Sequence, residues 1–132
     1  MGELKIFPYN DKFSKIFNRE KDKIFKVLDN CEVHHIGSTA VPGLGGKGII
    51  DIMVALKNWK KESEVVEKMK SAGFTHIHPK EKGKIFLSKI ASTKYGDIHI
   101  HIVKIGSKPY KEMLFFRDYL RKNKDEAKNI LN

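Results

Sequence analysis

Apolar residues recur at helical spacing from Phe13 onward: Phe13, Ile16, Phe17, Ile24, Val27 and Leu28 fall on one stripe. That spacing predicts a helix capped by Asn10 or Asp11 and running to about Asn30. Val33–Ile36 reads as a short strand ending in Gly37-Ser38. Residues 37–48 hold five glycines and a proline, which excludes regular structure. Ile49–Leu56 is apolar throughout except at Asp51, the pattern of a buried strand. Residues 60–72 carry Val65, Val66 and Met69 at helical spacing and stop at Gly73. Two strand-like stretches follow, Phe74–His78 and Ile85–Ile90. A turn over Ser92–Gly96 then leads into Asp97–Lys104, where apolar and polar residues alternate strictly. Pro109 suits the first turn of a helix reaching past Leu120, and Lys124–Asn132 reads as a further short helix. No repeat or linker interrupts this order, α-β-β-α-β-β-β-α. It predicts one α/β (α+β) domain over residues 1–132, a mixed sheet with helices packed mainly on one face.

Alternation along a strand assigns side chains to faces. Ile98, Ile100 and Ile102 point one way; Asp97, His99 and His101 point the other. Asp51 and Met53 share a face opposite Ile50, Ile52 and Val54. His35 goes with Val33, and His34 with Ile36. If the apolar faces all meet the helices, Asp51, His99 and His101 lie together on the open face. They then form an anion or metal pocket, or they only hydrogen-bond across the sheet; spacing does not choose between these. His76 and His78, beside Pro79, read as surface residues and His34 as a packing residue. Cys31, at a helix end, reads as a buried structural thiol. Phe115, Phe116 and Tyr119 read as core.

The glycine loop tests three phosphate-binding templates. A dinucleotide fingerprint needs a helix after its glycines, but Gly43, Gly45 and Gly48 lead directly into the strand at Ile49. The Walker pattern fails because Gly48 follows Lys47 and Val41 stands at the first glycine position. The third template is nucleotidyltransferase-like: a strand, Gly-Ser, a loop, then a strand carrying an acid. In it Gly37 lets a phosphate approach the backbone, and Ser38, with Thr39 beside it, offers hydroxyl and N–H groups. Asp51 then holds a divalent cation against that phosphate. Lys47, Lys84 and Arg117 are candidate counter-charges to a phosphate. For Arg117 a structural ion pair with Asp97 or Asp118 is the preferred alternative.

The stretch His35-Ile36-Gly37-Ser38-Thr39-Ala40-Val41-Pro42-Gly43-Leu44, with Lys47 and Ile49-Ile50-Asp51-Ile52 after it, resembles the signature of the GrpB (UPF0157) family. His99-Ile100-His101-Ile102-Val103 and Phe116-Arg117-Asp118-Tyr119-Leu120-Arg121 resemble that family's His-x-His strand and following helix. The resemblance runs from about Phe7 to the end. It implies a nucleotidyltransferase-like fold, and a module that in some proteins is joined to dephospho-coenzyme A kinase. The superfamily's second carboxylate is missing: Met53 stands in its place. Lys47-Gly48 also departs from the Lys-Pro usual in the family.

Composition narrows the function classes. Among 132 residues, 26 Lys and Arg face 16 acids, a formal charge of +10. Such a balance favours anionic partners, nucleotides and nucleic acids among them, although no RNA-reading motif is present. No apolar run is long enough to cross a bilayer. A single cysteine and an N-terminus without a signal-peptide core lead to an expectation of a cytoplasmic protein with no membrane partner.

The expected function is therefore binding of a nucleotide or phosphorylated metabolite. Metal-dependent nucleotidyl transfer is one form of it, with Asp51 as the catalytic acid and Asp51, His99 and His101 as metal ligands. The expected cofactor is a divalent metal, Mg or Mn for phosphate chemistry, while the imidazole pair also suits Zn or Ni. The alternative is a non-catalytic phospho-ligand-binding or adaptor module linked to coenzyme A metabolism.

Overall fold

The structure is a computed structural model that describes residues 6–59, 62–79 and 81–126. Helix α1 spans Lys12–Val27, and strand β1 spans Cys31–Ile36. A single 3-10 turn over Ser38–Ala40 opens the glycine loop, which ends at β2, Ile50–Leu56. Then come α2 (Glu62–Ser71), β3 (His76–Ile77), β4 (Ile85–Thr93), β5 (Gly96–Lys104) and α3 (Lys108–Lys122). The expected final helix over 124–132 lies largely outside the described residues, as do the first two residues of the predicted 60–72 helix.

The α1 helix starts where Asn10 accepts the Lys12 N–H on its side-chain oxygen at 2.9 Å, so Asn10 and not Asp11 is the side-chain cap. It ends earlier than expected because Asn30 takes a left-handed conformation, φ 53°, and turns the chain into β1. In α3, Pro109 occupies the first turn, where its missing N–H costs nothing.

The five strands form one mixed sheet in the order β1-β2-β5-β4-β3. The central β2–β5 pair is parallel and every other pair antiparallel. Helices α1 and α2 bury the isoleucine face, where Phe13, Ile24, Met69 and Phe74 pack on Ile50, Ile52, Ile98, Ile100 and Ile102. Inside this layer the buried Glu20 carboxylate accepts from Lys89 Nζ at 2.6 Å, tying α1 to β4. Such a pair holds elements in register more than it adds net stability.

Helix α3 crosses the opposite face. Tyr110, Met113 and Leu114 pack there on Ile36, Met53, Ala55 and Val103. Farther along, Leu120 leaves the sheet and joins Val41 and Leu44 of the glycine loop. Phe115, Phe116 and Tyr119 do not enter the core as their apolar character suggests. They are 70%, 50% and 37% exposed, because α3 buries the face defined by Tyr110, Met113, Leu114 and Leu120.

Candidate functional site

Pairing register places the site. In the parallel β2–β5 ladder Asp51 lies opposite His99, and Met53 opposite His101. All four share the face not covered by α1. The β4 neighbours Phe86 and Ser88 stand opposite His101 and His99, and His76 of β3 stands opposite Ser88. The bare half of the sheet is thus a band of imidazoles with Asp51 among them.

Contacts follow the register. Asp51 Oδ1 lies 3.1 Å from His101 Nε2 and 3.6 Å from His99 Nδ1. The other His99 nitrogen is 3.6 Å from Asp97 Oδ2. His101 Nδ1 is buried without a hydrogen-bond partner in the structure. Phe86 packs against both rings, with centroids 4.8 Å from His101 and 5.0 Å from His99. His78 stacks on Phe86 at 4.1 Å and pairs with Ser88 Oγ at 3.1 Å. Partial burial, then the nearby His76 and His99, hold the His78 imidazole below its ordinary pKa. The residues His76 and His78, read from sequence as plain surface, therefore extend the site. Cross-strand register, which sequence does not supply, brings them there.

The Gly-Ser end of the loop closes over Asp51. Gly37 has φ +76°, and a β-carbon built on it lies 2.6 Å from Asp51 Oδ2. Only glycine fits both the backbone angle and the approach. Ser38 is partly exposed beside it. Thr39 turns inward instead: it is buried, its hydroxyl donates to the Ile49 carbonyl at 3.4 Å, and it meets His35 Nε2 at 2.9 Å. The His35 tautomer sets which of the two donates in that pair. Thr39 is thereby a brace of the loop and does not present its hydroxyl to a phosphate. His35 stacks on Phe17 at 4.8 Å, on the core side of the sheet. Burial, then the Arg121 charge, push its pKa down to about 4, with Asp51 opposing and Arg117 adding to the fall.

Of the expected counter-charges, Arg117 is the most constrained. Its Nε and Nη2 pair with Asp118 at 3.0 and 2.9 Å, and Nη1 donates to the His35 carbonyl at 3.4 Å. One turn on, Arg121 Nε donates to the Ala40 carbonyl at 2.9 Å. The two guanidinium groups bracket Gly37-Ser38 from α3. Arg121 was not singled out from sequence, yet its spacing of four residues from Arg117 is a readable signal. Lys47 is exposed in the glycine loop, and Lys84 ends the turn before Phe86. Among the described residues, the ion-pair partners of Asp51 are His99 and His101.

The remaining glycines serve the backbone. Phe7 and Gly46 exchange both hydrogen bonds, at 2.6 and 2.9 Å. A β-carbon on Gly45 meets the Phe7 carbonyl at 2.3 Å, and one on Gly48 meets the Tyr95 carbonyl at 2.6 Å.

For a metal, the donor chemistry of Asp51, His99 and His101 fits a borderline divalent ion. The nitrogens, however, close on the carboxylate oxygen itself. Among the described residues no group of three or more His, Cys, Asp or Glu stands ready as a metal cage. Nor is any helix among them long and apolar enough to cross a membrane.

The sheet order, the Gly-Ser turn and the acid on β2 define a nucleotidyltransferase-like fold. The solved Cid1 poly(U) polymerase with MgGTP bound superposes with a TM-score of 0.60 at 13% identity, over 88% of this chain and 39% of that one. The chain belongs to the GrpB family, whose profile, "GrpB protein", matches residues 3–130. The crystal structure of conserved protein GrpB from Enterococcus faecalis has a TM-score of 0.80 and 26% identity, covering 95% of this chain and 77% of that one. A UPF0157 protein of Streptomyces coelicolor is 31% identical over 125 residues, 94% of this chain. The chain spans only 64% of that relative's length.

Proposed function

We propose that the chain binds the phosphates of a nucleotide or phosphorylated metabolite between Gly37-Ser38 and Asp51, with a divalent cation held by Asp51, His99 and His101. The observation that supports this reading is the closure of Gly37 onto the Asp51 carboxylate, with two imidazoles at its other side. His101 occupies the neighbouring position to Met53 on the same face, so imidazole nitrogen stands in for the absent second acid. The cation would neutralise phosphate charge; the loop amides and the Arg117–Arg121 pair orient the ligand. In a transfer reaction an acceptor oxygen forms a bond to the α-phosphorus and the α–β P–O bond breaks, releasing pyrophosphate. The acceptor proton leaves to a site base.

A second reading, a binding module without transfer, is favoured by Met53, which is fully buried under α3 and leaves one carboxylate on the strand. Pyrophosphate release from nucleoside triphosphates with Mg or Mn separates the two readings. The test of the site itself is Asp51→Asn, followed by titration calorimetry with a nucleoside triphosphate and Mn. Metal-dependent binding is expected to disappear while the far-ultraviolet dichroism is retained. Binding at native affinity would overturn the assignment.

A further inference from the structure

A second cationic feature lies away from this site, behind the sheet. Lys12, Lys15 and Arg19 follow one another along a single exposed side of α1. Lys94, in the β4–β5 turn, faces them across a groove of about 300 Å³. Ile16, Thr93 and Tyr95 complete the lining, and no carboxylate contributes. Elsewhere several basic residues are ion-paired: Lys23 and Lys89 with Glu20, Lys68 with Glu64, Lys70 with Glu67, Lys108 with Glu112 and Arg117 with Asp118. Among the described residues, the four groove cations have no such partner. Like charges gathered without acids repel one another and weaken the free fold. An anionic ligand reverses that cost.

The groove has a fixed floor. The Tyr95 ring sits edge-on to Phe7 and Phe13 at 5.2 and 5.1 Å, and Asn10 Nδ2 donates to its hydroxyl at 3.1 Å. Lys94 Nζ lies 5.2 Å above that ring. From Lys12 to Arg19 the helix advances roughly 10 Å, more than one phosphate group spans. A bilayer is disfavoured as partner, because a membrane-surface helix needs an exposed apolar face. The apolar stripe of α1 is buried in the core.

We infer that this groove binds the phosphodiester backbone of single-stranded nucleic acid. The inference rests on the groove alone and stands or falls independently of the Asp51 site.

The test uses a labelled oligouridylate of about 15 nucleotides, followed by fluorescence anisotropy over a potassium chloride series. Native protein is expected to bind with log affinity falling by roughly 0.7 per phosphate contact for each tenfold rise in salt. The charge reversal Lys15→Glu/Arg19→Glu should weaken binding at least ~10-fold and flatten the salt slope. The control Lys57→Glu/Lys104→Glu makes the same change in net charge at the opposite end of the parallel strands, and should bind like native protein. The milder Lys12→Gln/Lys94→Gln should give an intermediate loss. Equal weakening by groove and control variants would mean diffuse charge alone, and would overturn the proposal. So would an unchanged groove variant, or native protein that binds phosphatidylserine vesicles and no oligonucleotide.

Discussion

The two halves of the sheet face opposite α1 have the same strands and opposite fates. Where α3 crosses, Ile36, Met53, Ala55 and Val103 are buried against Tyr110, Met113 and Leu114. Half a strand away, Asp51, His99 and His101 are left partly exposed. The side chains on this face divide with the halves, Met53, Ala55 and Val103 in one and Asp51, His99 and His101 in the other, and helix α3 follows that division. Its first half presents apolar residues to the sheet, and its second half sends Arg117 and Arg121 to carbonyls of His35 and Ala40. By stepping off the sheet onto the loop, α3 leaves the polar band uncovered and sets two cations at its border.

Substituting Met53→Asp would supply the superfamily's second acid on paper, and is the sharpest way to break the contrast. At a position with no solvent exposure, the new carboxylate would lack a partner. We expect destabilisation on the order of 3–5 kcal/mol in urea unfolding, against about 1 kcal/mol or less for His101→Ala in the bare half. Comparable losses from the two substitutions would show that α3 does not divide the face.

The core side of β1 gives the next largest effect, through pH. His35 falls from an ordinary value of 6.5 to about 4 in the folded chain. Between those values the unfolded chain binds the extra proton, so stability rises with pH. This contribution is complete above 6.5, fades as pH falls toward 4, and amounts to about 3 kcal/mol. Calorimetric melting of native protein and His35→Phe across that window should show the steeper acid loss in the native protein. Parallel profiles would contradict a buried, neutral His35.

The smallest effect expected concerns the hinge of the two halves. Gly37→Ala forces alanine into φ 76°, ψ −176°, a region essentially reserved for glycine, at a cost on the order of 1–3 kcal/mol, and drives its methyl against Asp51. Unfolding should shift modestly, whereas phosphate-ligand affinity should fall by more than the stability change predicts. Equal affinity in the variant would separate the loop from the site.

Element order and faces were legible because β5 alternates strictly and β2 is an apolar run with a single acid. The grouping of Asp51, His99 and His101 followed from that alternation once the two strands paired in parallel. What sequence could not supply was register between distant strands, which carried His76, His78 and Phe86 into the same band. Nor did it reveal which side α3 would bury: Phe115, Phe116 and Tyr119 are as apolar as Tyr110 and Met113, yet face solvent. Thr39 misled for a related reason. Its hydroxyl follows Ser38 in sequence, but a single 3-10 turn rotates it inward to His35.

The seating of Phe7 against Gly46 carries an evolutionary consequence. Gly45 and Gly48 are constrained by the backbones of Phe7 and Tyr95 and by their own positive φ angles, +72° and +83°. Selection at those two positions would track the fit of an N-terminal segment and of the β4–β5 turn. Gly37 differs, because its neighbour is the Asp51 carboxylate itself.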